Sequence, residues 1–160
     1  MAGCGAQALG GALGRADGTD PQAAADALPW HDRGATPVDL LLAARAAGCD
    51  AELRAGTWED LERVVAAQGT GIVMIDAAPE VRTLFSAFQT SPVMHWALVA
   101  GLARDGSEVL IGLPEDRVAI MDRAWFLDRW SRSDHCLIVV AAQREAMRNT
   151  SADARSIHAR

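Results

Sequence analysis

The sequence has no lysine and no tyrosine, and all 15 of its basic residues are arginine. These arginines form no cluster, and the formal net charge of the chain is −6. A protein with this charge has no general affinity for nucleic acid or for an anionic membrane surface. We therefore expect neither nucleic acid nor a membrane among its partners, and we attribute the arginine bias to coding composition rather than to function.

Cysteine is scarce, and long apolar runs are absent. The three cysteines, Cys4, Cys49 and Cys136, are an odd number at wide spacing and form no Cys-x-x-Cys pair. This pattern implies neither a zinc site nor a disulfide framework, and it fits a reducing compartment. The first residues do not resemble a signal peptide, and no apolar run approaches the roughly 18 residues needed to span a bilayer. We expect a cytoplasmic protein without metal or cofactor, with delivery as an effector left open.

What the sequence does contain is enough to build a core. Hydrophobic residues make up 50% of the 160 residues, a length that suits one domain better than two. From about residue 143 to residue 160 the chain is polar and charged, with little apolar patterning. We assign residues 1–142 to one domain and expect 143–160 to be a frayed helix leading into a disordered tail.

Helix signals dominate the first half of the chain. Ala- and Leu-rich segments follow residues that favour helix starts, such as a cap followed by proline at the first helical position. The predicted helices are Cys4 to about Leu13, Pro21 to about Leu28, one that starts at Thr36-Pro37-Val38-Asp39 and ends at Gly48, and one that starts at Thr57-Trp58-Glu59-Asp60 and ends at Gly69. In the first of these, Gly10 and Gly11 weaken the helix.

Strand signals dominate the second half. Asp105-Gly106 is a turn signal between two apolar runs and predicts a hairpin. The predicted strands are Glu52–Arg54, Ile72–Ile75, Val93–Ala100, Glu108–Ile111, Arg117–Met121 and Cys136–Ala141, with a short helix from Asp122 to Trp130 before the last strand. Helices followed by a mostly antiparallel sheet predict an α+β protein.

Cys4 is a candidate nucleophile because it stands at the start of a predicted helix. A thiol at that position faces unpaired backbone N–H groups and the positive end of the helix dipole, and both favour the thiolate. Gly5, which follows, would let a substrate backbone approach closely. The competing interpretation is an ordinary thiol near a chain end.

His95 is the candidate base. It lies near the start of the predicted strand Val93–Ala100, next to Trp96, where apolar neighbours can hold an imidazole in one orientation. A cysteine nucleophile needs such a base within hydrogen-bond reach, usually oriented by a third group. The competing interpretation is a structural histidine beside an apolar strand.

Two other groups of polar residues are weaker candidates for a functional site. Trp30-His31-Asp32 contains a His–carboxylate pair, but its flanking Pro and Gly favour a surface turn. Asp134-His135-Cys136 opens the last predicted strand, where a thiol usually packs in the core. His31, His95 and His135 share no metal-ligand spacing, so we propose no metal.

Four short motifs occur in an order that resembles a known family. They are CGAQAL at 4–9, HWALVAG at 95–101, EVLIGLP at 108–114 and WFLDRW at 125–130. Together they resemble the papain-like peptidases that cleave double-glycine leaders from bacteriocin precursors, and their free-standing bacterial relatives. The resemblance covers about residues 3–141 and implies a papain-like fold. It also implies a Cys4 thiolate that attacks a peptide carbonyl, with His95 as base and then acid.

The chain departs from the family pattern at two places. The family has an orienting Asp before a Pro at the end of the hairpin strand, but this chain has Leu113 before Pro114. Asp116, or less favourably Glu115 or a backbone carbonyl, is the expected substitute. The family also carries a Gln before its Cys as an oxyanion donor, but only three residues precede Cys4, and Gln7 points elsewhere on a regular helix. Loss of one such donor costs about 10²–10³ in rate.

These departures define the alternatives. The expected function is that of a cysteine peptidase, or a related thiol acyl-transfer enzyme, that processes a peptide. Either the start of the chain is truncated, or the enzyme is weakened or repurposed. The main alternative is a catalytically impaired papain-like domain that binds a peptide or protein partner, and another is a delivered effector of papain-like type.

Overall fold

The computed structural model describes residues 4–16, 28, 34–77, 93–112 and 118–142. In chain order the elements are α1 (Cys4–Arg15), α2 (Pro37–Ala46), β1 (Asp50–Ala55), α3 (Trp58–Ala66), β2 (Thr70–Asp76), β3 (Met94–Leu102), β4 (Glu108–Gly112), β5 (Val118–Asp122), α4 (Arg123–Ser131) and β6 (Cys136–Ala141). The predicted helix from Pro21 to about Leu28 and the predicted tail 143–160 lie outside the described residues, apart from Leu28 itself.

The six strands form one sheet in the order β1-β6-β2-β3-β4-β5, and every pair of neighbours is antiparallel. The hairpin predicted at Asp105-Gly106 is confirmed, since it joins β3 to β4 with Gly106 at φ +69°. The last strand, β6, inserts between β1 and β2. The predicted α+β layout, with a mostly antiparallel sheet, is therefore confirmed.

Helices cover both faces of the sheet. Residues alternate along each strand between the two faces, so Ile72 packs with α1 and α2, whereas the adjacent Val73 packs with α3 and α4. Trp96 and Leu98 belong to the first cluster, and Ala97 and Val99 to the second. Because both faces are buried, the central strands show short continuous apolar runs rather than alternation, as their sequence indicates.

Side-chain caps fix where three of the helices begin. Thr36 and Asp39 form a capping box at α2, in which the Asp39 N–H donates to Thr36 Oγ1 at 3.2 Å. Thr57 and Asp60 form the same arrangement at α3. The Asp122 carboxylate caps α4 by accepting from Ala124 N–H at 2.8 Å. These starts agree with the sequence predictions.

No described helix combines the length and the apolar composition that crossing a bilayer requires.

Candidate active site

Cys4 is the first residue of α1, and the helix start is packed tightly against the sheet. A Cβ atom added at Gly5 would lie 3.0 Å from Ala35 Cβ and 3.2 Å from Trp96 Cδ1. The role expected for Gly5, close approach of a substrate backbone, is therefore not what the geometry indicates. Gly5 is buried and makes room for the protein's own Trp96 and Ala35. Its missing side chain brings the first turn of α1 onto β3.

The indole of Trp96 ties a second segment to this place. Its Nε1–H donates to the Ala35 carbonyl oxygen at 2.9 Å, two residues before α2 begins. The same side chain is buried in the cluster beneath α1 and α2. Trp96 therefore connects the start of α1, the segment before α2 and the strand that carries His95.

His95 is the second residue of β3, and its register partner on β2 is Ile75. Its side chain is exposed at the end of the sheet where β2 ends and β3 begins, which we call the site end. A hydrogen bond with Cys4 raises the pKa of His95, and the charge of Cys4 acts in the same direction, while partial burial opposes both. The structure thus brings the two predicted site residues together.

Three donors lower the pKa of the Cys4 thiol. The hydrogen bond with His95 contributes most to lowering the pKa of the thiol. Burial opposes this effect, but the backbone N–H groups of Trp96 and Gly5 and the charge of His95 also lower the pKa. The net shift is downward, because donors stabilise the thiolate more than desolvation penalises it. The site can therefore hold a nucleophilic sulfur beside a basic imidazole.

The Trp96 N–H was missed by the sequence analysis because it is a backbone group, and a sequence names only side chains. It is available because β4 pairs with β3 only from Leu98 onward, within the described residues. The preceding part of β3 pairs with β2 on one side only. The start of α1 lies along the other side, where the Trp96 N–H reaches Cys4.

The orienting group for His95 is not among the residues that the structure describes. Asp116, its alternative Glu115 and the family position Leu113 all fall in the stretch 113–117, outside those residues. Within the described part of the chain, Cys4 is the only group that raises the pKa of His95. The assignment of Asp116 remains a prediction.

The other candidate groups add no residue to the site within the described ranges. His31 and Asp32 fall outside the described residues. His135 packs edge-on against Trp130 at 5.1 Å between ring centroids, and its carbonyl accepts from Gly56 N–H at 2.9 Å. Burial raises the pKa of the Cys136 thiol, as expected for a packed residue. In the described ranges, no three His, Cys, Asp or Glu side chains converge as metal ligands.

Comparison with known proteins gives structural neighbours only. No family profile matches the sequence, and no curated protein matches it. The peptidase domain of Streptococcus ComA, a bifunctional ABC transporter involved in quorum sensing, is 17% identical with a TM-score of 0.62, over 89% of this chain and 93% of that one.

Two further solved structures agree with it. A C39-like peptidase from Bacillus anthracis is 17% identical with a TM-score of 0.68, over 89% of this chain and 90% of that one. The ComA peptidase domain of Streptococcus mutans is 17% identical with a TM-score of 0.51, over 76% of this chain and 88% of that one. The chain therefore has the papain-like fold of C39-like peptidase domains, as its sequence motifs predicted.

Proposed function

We propose that this protein is a cysteine peptidase, or a closely related thiol acyl-transfer enzyme, that processes a peptide or protein substrate. Cys4 is the nucleophile and His95 the general base, within a domain that spans residues 1–142. The observation that carries the proposal is the hydrogen bond between these two side chains at the start of α1, which shifts their pKa values in opposite directions. Such a pair is what an activated thiol requires.

The proposed reaction has two steps. In the first, Cys4 Sγ bonds to the carbonyl carbon of the scissile peptide, and the protonated His95 gives its proton to the leaving amine as the C–N bond breaks. In the second, His95 takes a proton from water, whose oxygen attacks the thioester; the C–S bond breaks, the acid product leaves, and the Cys4 thiolate beside the protonated His95 is restored. The unpaired N–H groups of the first turn of α1 favour the negative charge that develops on the carbonyl oxygen.

Asp116 completes the proposal as the acceptor for the second ring nitrogen of His95. A carboxylate there would hold the imidazole in the productive tautomer and stabilise its charged form. We propose the cytoplasm as the place of action, because the described free thiols of Cys4, Cys49 and Cys136 suit a reducing compartment.

The first test measures the alkylation rate of Cys4 by iodoacetamide against pH. Cys49 and Cys136 are replaced by alanine so that one thiol reports. Fast labelling at pH 6 that is lost in His95→Ala is the expected result. In that variant the pKa of Cys4 should return toward the ordinary value of about 8.5, so labelling should require higher pH.

The second test is cleavage of a peptide library, including peptides with an internal Gly-Gly pair, followed by mass spectrometry. Cys4→Ala should lower cleavage by about 10³-fold or more, since the nucleophile and base act as a unit. Cys136→Ala is the matched control and should cleave normally. Cleavage that survives in Cys4→Ala contradicts the proposal. An ordinary thiol profile with no cleaved peptide would instead favour a domain that binds a peptide or protein partner.

A further inference from the structure

A buried carboxylate with two arginine partners lies at the site end of the sheet, one residue pair away from His95. Asp76, the last residue of β2, is only 2% exposed. Its Oδ2 accepts from Arg132 Nη1 at 2.7 Å and lies 3.9 Å from Arg129 Nη1. Arg129 is equally buried and also donates to the Asp76 carbonyl oxygen at 3.4 Å. We call these three residues the Asp76 cluster.

The other carboxylate oxygen of Asp76 acts on the strand that carries His95. Its Oδ1 accepts from the Val93 N–H at 3.0 Å, two residues before His95. The Val93 carbonyl in turn accepts from Ala77 N–H at 2.8 Å. In the β2–β3 register Asp76 faces Met94, and Ile75 faces His95. The carboxylate therefore fixes the place where β3 begins.

This contact matters because, in the described ranges, the start of β3 pairs with only one neighbouring strand. In the described ranges β4 pairs with β3 only from Leu98, so the stretch from Met94 to Ala97 is paired with β2 alone. The opposite side of that stretch receives Cys4. A small displacement of the start of β3 would change the distance between the imidazole and the sulfur, and an error of about 1 Å in such an arrangement can cost about 10²-fold in rate.

We infer that Asp76, held in place by Arg132, is a positioning residue for His95. The inference rests on the proposed function, since it concerns how the imidazole is kept in reach of the Cys4 sulfur. Asp76 acts through the backbone of Val93 and touches neither reacting group. In this way Arg129 of α4 and the C-cap residue Arg132 that follows it help to position a site that neither side chain touches.

The chain offers a matched control in a second buried carboxylate. Asp60 is 7% exposed and accepts from Arg63 Nη2 at 2.7 Å and from Arg54 Nη2 at 3.1 Å. It belongs to the capping box of α3, and no contact in the described ranges links it to Cys4 or His95. Arg63 and Arg132 are thus exposed arginines at the same distance from a buried carboxylate, one remote from the site and one beside it.

The experiment compares Arg132→Gln with Arg63→Gln in the protein whose only thiol is Cys4. The iodoacetamide rate at pH 6 is measured beside the thermal unfolding midpoint. Arg132→Gln should label about 3- to 10-fold more slowly than the parent, because the imidazole is held less closely beside the Cys4 sulfur and the thiolate fraction falls. Arg63→Gln should label like the parent, and Arg132→Lys should recover part of the rate.

Further variants test whether slower labelling comes from the contact of Arg132 with Asp76 or from its other ion pair. Asp128→Asn removes the 2.9 Å ion pair between Arg132 and the last turn of α4 and should label normally. Asp76→Asn should label more slowly than Arg132→Gln; if it does not fold, the two arginine variants decide. Unchanged labelling in Arg132→Gln, or equal slowing in Arg63→Gln, overturns the inference. Slow labelling of the parent itself, indifferent to His95→Ala, overturns the proposed function instead and the inference with it.

Discussion

Cys4 and Cys136 are two half-buried thiols that pack against the same apolar cluster, yet their environments shift the thiol pKa in opposite directions. Burial raises the pKa of Cys136, and no other cause acts on it within the described part of the chain. Cys4 experiences the same desolvation, but His95 and the backbone N–H groups of Trp96 and Gly5 outweigh it. The comparison shows that donors, rather than exposure, decide which thiol is activated. Cys49, which is also buried, behaves like Cys136.

The difference follows from where each thiol stands in the fold. Cys4 opens a helix, where backbone N–H groups have no partner within the helix and can point at an anion. Cys136 opens a strand, and its backbone groups already have partners: its N–H donates to the Ser133 carbonyl oxygen at 3.1 Å, and its carbonyl accepts from Trp130 Nε1 at 2.9 Å. The same residue type therefore becomes a nucleophile candidate in one place and a packing residue in the other.

The largest expected effect comes from a direct comparison of the two thiols. Two proteins are made, one that keeps only Cys4 and one that keeps only Cys136. At pH 7 the Cys4 protein should react with iodoacetamide about 10- to 100-fold faster, because each pKa unit changes the thiolate fraction about tenfold below the pKa. Since a thiol ionises as pH rises, the Cys4 rate should rise at lower pH than that of an ordinary thiol, and the Cys136 rate at higher pH.

The control for that comparison is unfolding in denaturant, after which the two thiols should react with iodoacetamide at the same rate. Equal rates in the folded proteins would mean that the donors around Cys4 do not lower its pKa in solution. The conclusion that Cys4 is activated and Cys136 is not would then be wrong.

Gly5→Ala tests whether tight packing keeps Cys4 in its environment. The added methyl group meets Ala35 Cβ and Trp96 Cδ1, so the first turn of α1 must move away from β3. We expect Cys4 labelling at pH 7 to fall by about tenfold, in keeping with the sensitivity of such sites to displacement. Overpacking should also cost about 1–3 kcal/mol of the free energy of unfolding, partly offset by better helix propensity.

Gly11→Ala is the control for Gly5→Ala. It adds a methyl group on the same helix, 2.7 Å from Leu98 Cδ2, which is the end of a flexible side chain. It should leave Cys4 labelling unchanged. If Gly5→Ala labels as fast as the parent, the close contact with Trp96 does not determine the thiol environment.

Much of the fold could be predicted because its signals are local. The Thr-x-x-Asp caps at Thr36 and Thr57 depend on four consecutive residues, and both helices begin there. The hairpin at Asp105-Gly106 also needs only its own sequence. The prediction was less accurate at the end of α3. Gly69 was the expected stop, but Gln68 adopts the left-handed conformation at φ +57°.

The remaining features depend on long-range pairing, which sequence patterns do not encode. Nothing in the sequence of β6 indicates that it inserts between β1 and β2, because this requires contacts across more than 60 residues. The pairing of Cys4 with His95 was predicted from a family resemblance. The Trp96 N–H and Asp76 were not predicted, since one is a backbone donor and the other follows an apolar strand without any motif.

The smallest effect is expected from Trp96→Phe, which distinguishes the role of the Trp96 side chain from that of its backbone N–H. Trp96 and Trp130 each donate an indole N–H to a backbone carbonyl at 2.9 Å, Trp96 to Ala35 near Cys4 and Trp130 to Cys136 itself. In Trp96→Phe the indole bond is lost, but the backbone N–H that faces Cys4 remains. We expect a loss of about 1–2 kcal/mol in the free energy of unfolding, since one hydrogen bond and some packing disappear.

Cys4 labelling in Trp96→Phe should slow by only about twofold to threefold, because the imidazole and the backbone N–H groups that lower the thiol pKa remain. Trp130→Phe is the matched control: it should lose similar stability, leave Cys4 labelling unchanged and alter the reactivity of Cys136. A tenfold loss of Cys4 labelling in Trp96→Phe would assign the activation to the position of α1 set by the indole. Retention of the rate would assign it to the backbone N–H and the imidazole.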